Sequence, residues 1–253
     1  MDGSGNTTLF PLCRTKTLHL VRHAHGVHQL EVEDRDALKS VELFDAQLSP
    51  QGWQQVDNLN KHINESGLAK KVELVIVSPL LRTMQTAVGA FGDAGDCADG
   101  TDVTPLIVAN AVNSNHSAIS RLNTPPFLAV ELCREKLGVY HCNRRRATSE
   151  YRTIFPAVDF SMAKNEEDIL WKADVREADE SLAIRGMQFI ECTREELEQL
   201  LIGHFSSISS TQHPRSNYAF IQHIPSCISE EDNAALTSTS RVHLRTQLLY
   251  SNG

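Results

Sequence analysis

An arginine and a histidine follow a short apolar segment near the N-terminus, in the text LVRHAHG at residues 20–26. A neutral imidazole at the end of a strand can attack phosphorus as a nucleophile, provided that its other ring nitrogen donates a hydrogen bond that fixes the tautomer. The guanidinium beside it can neutralise the charge on a transferring phosphoryl group. Arg22 and His23 therefore indicate phosphoryl transfer, although the same pair also occurs as an ordinary polar end of a strand.

A second arginine lies where a buried segment turns directly into a predicted helix, in the text VSPLLRTMQTA at residues 77–87. Arg82 falls in the first helical turn, where the positive end of the helix dipole disfavours a cation and favours an anion. An anion bound at this turn would explain the arginine. The alternative is a surface arginine whose aliphatic stem packs along the helix.

Three histidines near the N-terminus also have the spacing of zinc ligands. His23, His25 and His28 form the pattern HxHxxH, which follows a strand in metallo-β-lactamase-like hydrolases as it does here. Those enzymes carry an aspartate immediately before the third histidine, where this chain has Val27, and their later ligands have no evident counterpart in this sequence. A zinc-dependent hydrolase is therefore the less favoured alternative.

Strands and helices alternate along most of the chain, and they determine where these side chains would lie. Ser49 before Pro50 predicts the start of a helix with apolar residues at helical spacing, and Ser78 with Pro79 is expected to cap the next helix. The predicted strands are 16–21, 72–77, 106–109 and 127–132, the further predicted helices are 80–90 and, with an interruption near residue 186, 177–201, and residues 144–165 are expected to be irregular. This order predicts a three-layer α/β/α fold with a mainly parallel central sheet.

The ends of the chain differ in composition from this α/β domain, which is predicted to span residues 9–204. A polar leader at residues 1–8, which is expected to be disordered, precedes the domain. Residues 205–253 are rich in Ser, Thr and Asn with little sustained periodicity, so the C-terminal part is expected to be an irregular, poorly ordered tail.

The overall charge and the cysteines indicate which partners and which cellular compartment to expect. Lys and Arg total 24 against 32 Asp and Glu, a net charge of −8, which argues against nucleic-acid binding. No stretch has the length and apolar content of a membrane span, and the N-terminus lacks the pattern of a signal peptide. The 6 cysteines contain no CxxC pair, which favours reduced thiols. We expect a cytoplasmic protein whose partner is a small metabolite, and the sequence does not indicate its oligomeric state.

Several segments of the chain resemble the histidine phosphatase superfamily, the phosphoglycerate mutase-like clan. They are, in this order, RHAHG, LSPQGWQQ and SPLLRTMQTA, followed by CREKLGV and a C-x-RR segment. The likeness is greatest to the plant phosphoglycerate mutase-like proteins, and it covers about residues 10–190. The resemblance implies a phosphatase or phosphoryl transferase acting on small phosphate esters, with carbohydrate metabolism as the expected setting. It also implies that no metal and no other cofactor is needed.

The resemblance assigns roles to individual residues. It makes His23 the nucleophile that becomes phosphohistidine, and it gives Arg22 and Arg82 to the phosphate pocket. A carboxylate in FLAVELCREKLG would protonate the leaving oxygen and then activate water. Glu135 matches the family's position best, and Glu131 is the alternative, since a charge inside the predicted strand text would more often belong to a structural ion pair.

Two further segments bear on the substrate. Mutases of this clan carry a Trp-Asn pair a few residues beyond the nucleophile, and this chain has Gln29 in place of the asparagine. Gln29 would contact the same phosphate oxygen, while the loss of the pair argues against a glycolytic mutase and for a phosphatase. The run Arg144, Arg145 and Arg146 is either a solvated basic turn or a contact for a second anionic group of the substrate.

The second histidine of the superfamily has no clear counterpart here. The family has text such as THSG after a late strand, and the nearest equivalent is His204 in LLIGHFSS. His204 would complete the phosphate pocket, or it is incidental, and His213, His223 and His243 have weaker claims. If the pocket is incomplete, the alternative function is a non-catalytic pseudoenzyme that binds anions without turnover.

Overall fold

The computed structural model describes residues 16–29, 35–93, 104–190, 216–221 and 244–249. Within these ranges the chain forms a sheet, four α-helices and short 3-10 turns. The strands are β1 Lys16–Val21, β2 Leu74–Val77, β3 Phe127–Ala129, β4 Val158–Asp159, β5 Ser216–Ile221 and β6 Leu244–Leu249, and the helices are α1 Pro50–Glu65, α2 Leu81–Phe91, α3 Thr148–Ile154 and α4, described over residues 179–190.

All described strand pairs run parallel, in the order β4-β3-β2-β5-β1-β6. β5 lies between β1 and β2, and its last residue, Ile221, pairs in register with both Val21 and Val77. The carboxyl ends of β1, β5 and β2 therefore meet at one edge of the sheet. Open α/β sheets bind their ligands at that edge.

Alternate residues of β2 pack into different apolar clusters on the two faces of the sheet. Val75 and Val77 belong to the large cluster that includes the buried side chains of α1 and α2. Leu74 and Ile76 belong to a second cluster with Phe189 of α4. Helices therefore cover both faces, which confirms the predicted three-layer α/β/α class with a parallel sheet.

Helix α1 begins where the sequence predicted. Ser49 is its N-cap, with Oγ accepting the Gly52 N–H at 3.1 Å, and Pro50 is the first helical residue. Val56 and Ile63 are fully buried, so the apolar stripe faces the core. Local signals alone specify this helix, because cap, proline and periodicity all lie within it.

Helix α2 is capped differently from the prediction. It begins at Leu81, and neither Ser78 nor Pro79 is its N-cap residue. The carboxylate of Asp45, fully buried, instead accepts the Leu81 N–H at 2.9 Å through Oδ1. A carboxylate from a distant loop therefore complements the positive end of the helix that carries Arg82.

Several predicted elements have other bounds. Residues 106–109 form no strand, and Ile107 makes only an isolated bridge to Ile119. The strand predicted at 127–132 stops at Ala129, after which Glu131–Cys133 is a 3-10 turn. The stretch at 144–165, expected to be irregular, contains α3 and β4, and α4 continues through Gly186 in the described part. The Glu166 carboxylate accepts hydrogen bonds at the start of α3, a contact that local sequence does not reveal.

Two segments of the predicted tail belong to the sheet. β5 and β6 flank β1 on its two sides, so the sheet is not confined to residues 9–204. The rest of the tail and the leader at 1–8 lie outside the described residues. Among the helices that the structure describes, none combines the length and apolar content needed to cross a membrane.

Candidate active site

The His23 side chain lies just beyond the end of β1 and is buried. Its Nδ1 is 2.7 Å from the carbonyl oxygen of Ala24, and its Nε2 is 3.3 Å from Nε of Arg82. A carbonyl can only accept and the Arg82 N–H can only donate, so the proton of the neutral ring belongs on Nδ1. The lone pair of Nε2 is then directed at the guanidinium.

The surroundings of His23 favour the neutral imidazole. Burial lowers its pKa well below the ordinary value of 6.5, and the positive charge of Arg82 lowers it further, against an opposing effect of Glu135. A neutral ring with its lone pair on Nε2 is the form that can act as a nucleophile.

The loop that carries His23 is fixed by the first turns of two helices. The Ala24 N–H donates to Oγ1 of Thr86 in α2 at 3.1 Å, and the carbonyl of His25 accepts the Ser49 N–H at 2.9 Å. A Cβ on Gly52 would lie 2.1 Å from the His25 carbonyl oxygen. The text LSPQG therefore needs its glycine for the close approach of the His23–His25 loop to α1.

Arg82 is fully buried and connects His23 to the segment after β3. Its Nη1 donates to the carbonyl of Cys142 at 2.6 Å. Its Nη2 donates to Oε2 of Glu135 at 2.7 Å and to Oδ1 of Asn143 at 2.9 Å. With Nε facing His23, four of the five N–H donors of the guanidinium have protein partners.

The two candidate carboxylates have different environments. Glu135 contacts Arg82, the residue that faces His23, and its side chain is 20% exposed, so it reaches solvent. Glu131 instead accepts from Nη1 of Arg134 at 3.0 Å and from Nε of Arg145. The structure therefore brings Glu135 to His23 and places Glu131 in an ion-pair network.

The other predicted site residues are less closely associated with His23. Arg22 is exposed, and its guanidinium makes no hydrogen bond or ion pair with a residue that the structure describes. Oε1 of Gln29 accepts the Gly26 N–H at 2.9 Å, so the amide oxygen of Gln29 is used within its own loop. His204 lies outside the described residues, and its role stays a prediction.

Two residues of the arginine run are committed to the protein. The guanidinium of buried Arg145 donates to Glu131 and to the carbonyl oxygens of residues 165–167. Arg146 donates through Nε to Oδ2 of Asp45 at 3.0 Å. Both side chains therefore hold loops of the protein together.

Arg144 has a different environment from its two neighbours. Its guanidinium carbon lies 5.6 Å from the ring centroid of Phe44 and 5.2 Å from that of Trp171. Among the described residues its guanidinium has no hydrogen-bond or carboxylate partner. Two aromatic faces thus orient a partly exposed cation next to Asn143, which itself contacts Arg82.

A group of buried ion pairs fixes the segment that carries Glu135. Arg134 donates to both carboxylate oxygens of Asp168, at 2.8 and 2.6 Å. Arg185 donates to Glu177 at 2.7 Å and to the carbonyl of Glu135 at 3.3 Å. Burial alone would raise the pKa of Asp168, but the hydrogen bonds and the charge of Arg134 hold it below its ordinary value.

Comparison with known proteins identifies the family of this chain. A phosphoglycerate mutase-like protein of Arabidopsis thaliana is 55% identical over 207 residues, which are 81% of this chain and 76% of the relative. The chain belongs to the phosphoglycerate mutase-like family. This is the clan of the histidine phosphatase superfamily that the motifs around His23 and Arg82 resemble. No family model matches the chain.

A second member of this phosphoglycerate mutase-like family extends the alignment. Phosphoglycerate mutase-like protein 1 of Arabidopsis thaliana is 49% identical over 237 residues, 90% of this chain and 84% of that relative. An alignment that covers 90% of the chain cannot fit within residues 1–190. The likeness therefore continues beyond the range of 10–190 that the motifs indicated. The crystal structure of the ecdysone phosphate phosphatase from Bombix mori in complex with tungstate is 17% identical and covers 81% of this chain and 71% of that chain, with a TM-score of 0.36, too low to establish a shared fold.

Sequence reasoning missed two residues of this phosphoglycerate mutase-like site. Asn143 accepts from Arg82, and Asp45 caps α2 and accepts from the Tyr151 hydroxyl at 2.9 Å. Asp45 precedes the LSPQG motif and Asn143 precedes the arginine run, so their positions beside recognised motifs were the only available signal.

The three N-terminal histidines do not converge on a metal site. Nδ1 of His23 faces the Ala24 carbonyl, whereas Nδ1 of His25 is 2.8 Å from Oγ of Ser49. Within the part of the chain that the structure describes, no three His, Cys, Asp or Glu side chains are grouped to hold a metal ion. The described residues therefore give no geometric support to the zinc-hydrolase alternative.

Proposed function

We propose that this phosphoglycerate mutase-like protein is a phosphatase that hydrolyses small phosphate esters through a phosphohistidine on His23, without a metal ion. The observation that carries the proposal is the contact series from Nε2 of His23 to Arg82 and on to Glu135. These contacts support the proposal, because a neutral imidazole, a buried cation and a carboxyl group that lie together can act on one phosphate group.

In the first step, Nε2 of His23 attacks phosphorus and the bond to the ester oxygen breaks. The guanidinium of Arg82 moves its donors from His23 and Glu135 to the phosphoryl oxygens, where charge increases in the transition state. The Glu135 carboxyl, once it has lost its cationic partner, takes up a proton more readily. It then donates that proton to the leaving oxygen.

In the second step, water attacks the phosphorus of the phosphohistidine and the P–N bond breaks. The carboxylate of Glu135 accepts a proton from the water. Inorganic phosphate leaves, and the electron pair returns to Nε2 of His23. The Nδ1 contact with the Ala24 carbonyl keeps the ring in place throughout both steps.

The direct test is to trap the intermediate. Wild-type protein mixed with a ³²P-labelled phosphate ester and quenched in alkali is expected to retain label that acid releases. His23→Ala should retain none. A wild-type protein that turns over the ester without any acid-labile label would contradict the scheme, and an ester panel would identify the substrate.

The same experiment distinguishes the pseudoenzyme. Tight binding of phosphate esters with neither label nor release of inorganic phosphate would favour a protein that binds anions without turnover. The contact of Glu135 with Arg82 supports turnover over binding alone, because an anion-binding module gains nothing from a carboxylate beside its cation.

The preferred substrate class is a phosphate ester with a second anionic group. Arg144 supports this, because its guanidinium is held between two aromatic rings and is not neutralised by a described carboxylate. A cation oriented in this way can bind a carboxylate or second phosphate at the far end of a small ester.

Comparison of two substrates tests this preference. Arg144→Met should lower kcat/KM for an ester with a second anionic group by about 10-fold to 100-fold, the effect of losing one charged hydrogen bond. It should leave kcat/KM for phenyl phosphate unchanged. Equal losses for both esters would show that Arg144 does not contact the substrate's second group.

A further inference from the structure

We propose that His28 is a further catalytic residue, which donates a hydrogen bond to the phosphoryl group while that group is bound at His23. The inference rests on the proposed function and adds a residue to that site. His28 lies in the 3-10 turn Val27–Gln29, directly after the loop of the nucleophile.

The position of the His28 ring supports this role. Its centroid is 5.9 Å from that of the His23 ring, and the two planes are inclined at 54°. Attack on phosphorus requires a distance of about 3–3.5 Å between Nε2 and phosphorus. A phosphoryl group at His23 therefore lies in the neighbourhood of the second imidazole. The charge of a protonated His28 also acts to lower the pKa of His23, as expected for rings so close.

Part of the Arg82 guanidinium is used within the protein, so a second side chain can add a hydrogen bond to the phosphoryl group. A phosphoryl group has three non-bridging oxygens, whereas four of the five N–H donors of Arg82 face protein acceptors. The contacts of Arg82 with Cys142 and Asn143 fix the guanidinium in the fold and are not expected to break. The amide oxygen of Gln29 faces the Gly26 N–H, so that residue supplies at most its amide nitrogen.

Gly26 determines where the His28 ring lies. A Cβ on Gly26 would come within 2.6 Å of Nδ1 and 2.7 Å of Cε1 of His28, which is closer than any real contact. The Nδ1–Cε1 edge of the ring therefore packs on bare backbone. Nε2 is the ring nitrogen that does not face Gly26, and it is the atom to which we assign the hydrogen bond. A Cβ added at position 26 would therefore displace the His28 ring while the histidine itself stays unchanged.

The test compares His28→Ala, His28→Gln and Gly26→Ala, using kcat, KM and inhibition by orthovanadate. Orthovanadate mimics the five-coordinate phosphorus, so it reports the hydrogen bond directly. His28→Ala should lower kcat and weaken inhibition by orthovanadate, each by at least about 10-fold, with little change in KM. His28→Gln keeps an N–H donor and should recover part of the loss. Thermal unfolding of each variant controls for a merely structural effect.

Gly26→Ala should reproduce the loss seen for His28→Ala, because its Cβ displaces the ring. In the double variant, with both Gly26→Ala and His28→Ala, the two losses should not add. Either change alone already removes the hydrogen bond from His28. Kinetics and orthovanadate inhibition within about 2-fold of wild type for His28→Ala, or additive losses in the double variant, would overturn the proposal.

Failure of the proposed function can be told apart from failure of this inference. A wild-type protein that binds orthovanadate but hydrolyses no ester contradicts the phosphatase assignment, while the binding comparison still decides the role of His28. A wild-type protein that binds neither orthovanadate nor inorganic phosphate contradicts both.

Discussion

At the scale of single residues, the pH dependence of activity follows from the burial of His23. Burial and Arg82 lower the pKa of His23 well below 6.5, so the ring stays unprotonated as the pH falls through that value. We expect kcat/KM to show no loss with an apparent pKa near 6.5, since kcat/KM reports the groups of the free enzyme. A pH–rate profile from about pH 8 into the acid range checks this. An acid limb centred at 6.5 would show that His23 is solvated.

The two carboxylates are expected to respond differently to loss of charge. Glu135→Gln should lower kcat by about 100-fold to 10,000-fold for alkyl phosphates, and less for aryl phosphates, whose leaving group needs no proton. Glu131→Gln should instead lower the free energy of unfolding by about 1–3 kcal/mol, because the amide offers Arg134 and Arg145 only one acceptor oxygen and no negative charge. Steady-state kinetics and urea unfolding of both variants separate the roles. Reversed outcomes would make Glu131 the acid.

At the scale of elements, Asp45 joins three parts of the chain at the start of α2. It accepts hydrogen bonds from the Leu81 N–H, from Arg146 and from the Tyr151 hydroxyl. Asp45→Ala should cost about 3–5 kcal/mol of stability, since it leaves a cation without its buried partner. Glu150→Gln removes the exposed partner of the same arginine and is the matched control, expected within about 0.5 kcal/mol of wild type. Equal effects of the two changes in urea unfolding would contradict this account.

The ion pairs behind Glu135 make the fold sensitive to acid. The pKa values of Asp168 and Glu177 are both lowered in the folded protein, where hydrogen bonds and charge from Arg134 and Arg185 outweigh the opposing effect of burial. Their stabilising contribution is present above the ordinary values of 3.8 and 4.5 and is lost as the pH falls below them. Urea unfolding from neutral pH into that range should show stability falling, and falling less steeply in Asp168→Asn. An unchanged pH slope in that variant would contradict the assignment.

How far the sequence predicts these elements depends on where their contacts originate. Helix α1 carries its cap at Ser49 and its apolar stripe within one local stretch, so local rules suffice. The caps of α2 and α3 come from Asp45 and Glu166, which lie far away in sequence, and no local rule finds them. The motifs identified His23, Arg82 and Glu135, whereas Asn143 depends on a contact across 61 positions.

The position of β5 bears on the second histidine. Ile221, its last residue, pairs with Val21, and His223 follows Ile221 in sequence by two residues, as His23 follows Val21. We therefore expect His223→Ala to lower kcat by on the order of 100-fold to 1000-fold, more than His204→Ala does. Parallel kinetics of the two variants decide between them. A loss confined to His204→Ala would confirm the position predicted from the motif.

At the scale of the whole molecule, the sheet depends on the last fifth of the chain. β5 and β6 are the described neighbours of β1, so removal of residues 205–253 leaves β1, the strand before His23, without either of them. We expect that truncation to abolish cooperative unfolding, whereas removal of residues 250–253 alone should not. Circular dichroism during urea unfolding is the measurement. A truncated protein that unfolds cooperatively would show that β5 is dispensable.

The late arrival of β5 also sets the time at which the protein can fold during synthesis. β2 ends at residue 77 and β5 ends at residue 221, so the ribosome adds the intervening residues while the facing edges of β1 and β2 have no strand between them. At about 5–20 residues per second this interval lasts roughly 7–30 s. Unpaired strand edges are templates for aggregation. The nascent chain therefore exposes these two edges for more than half of its translation, and β1 and β2 can be joined in one sheet only after β5 has been synthesised.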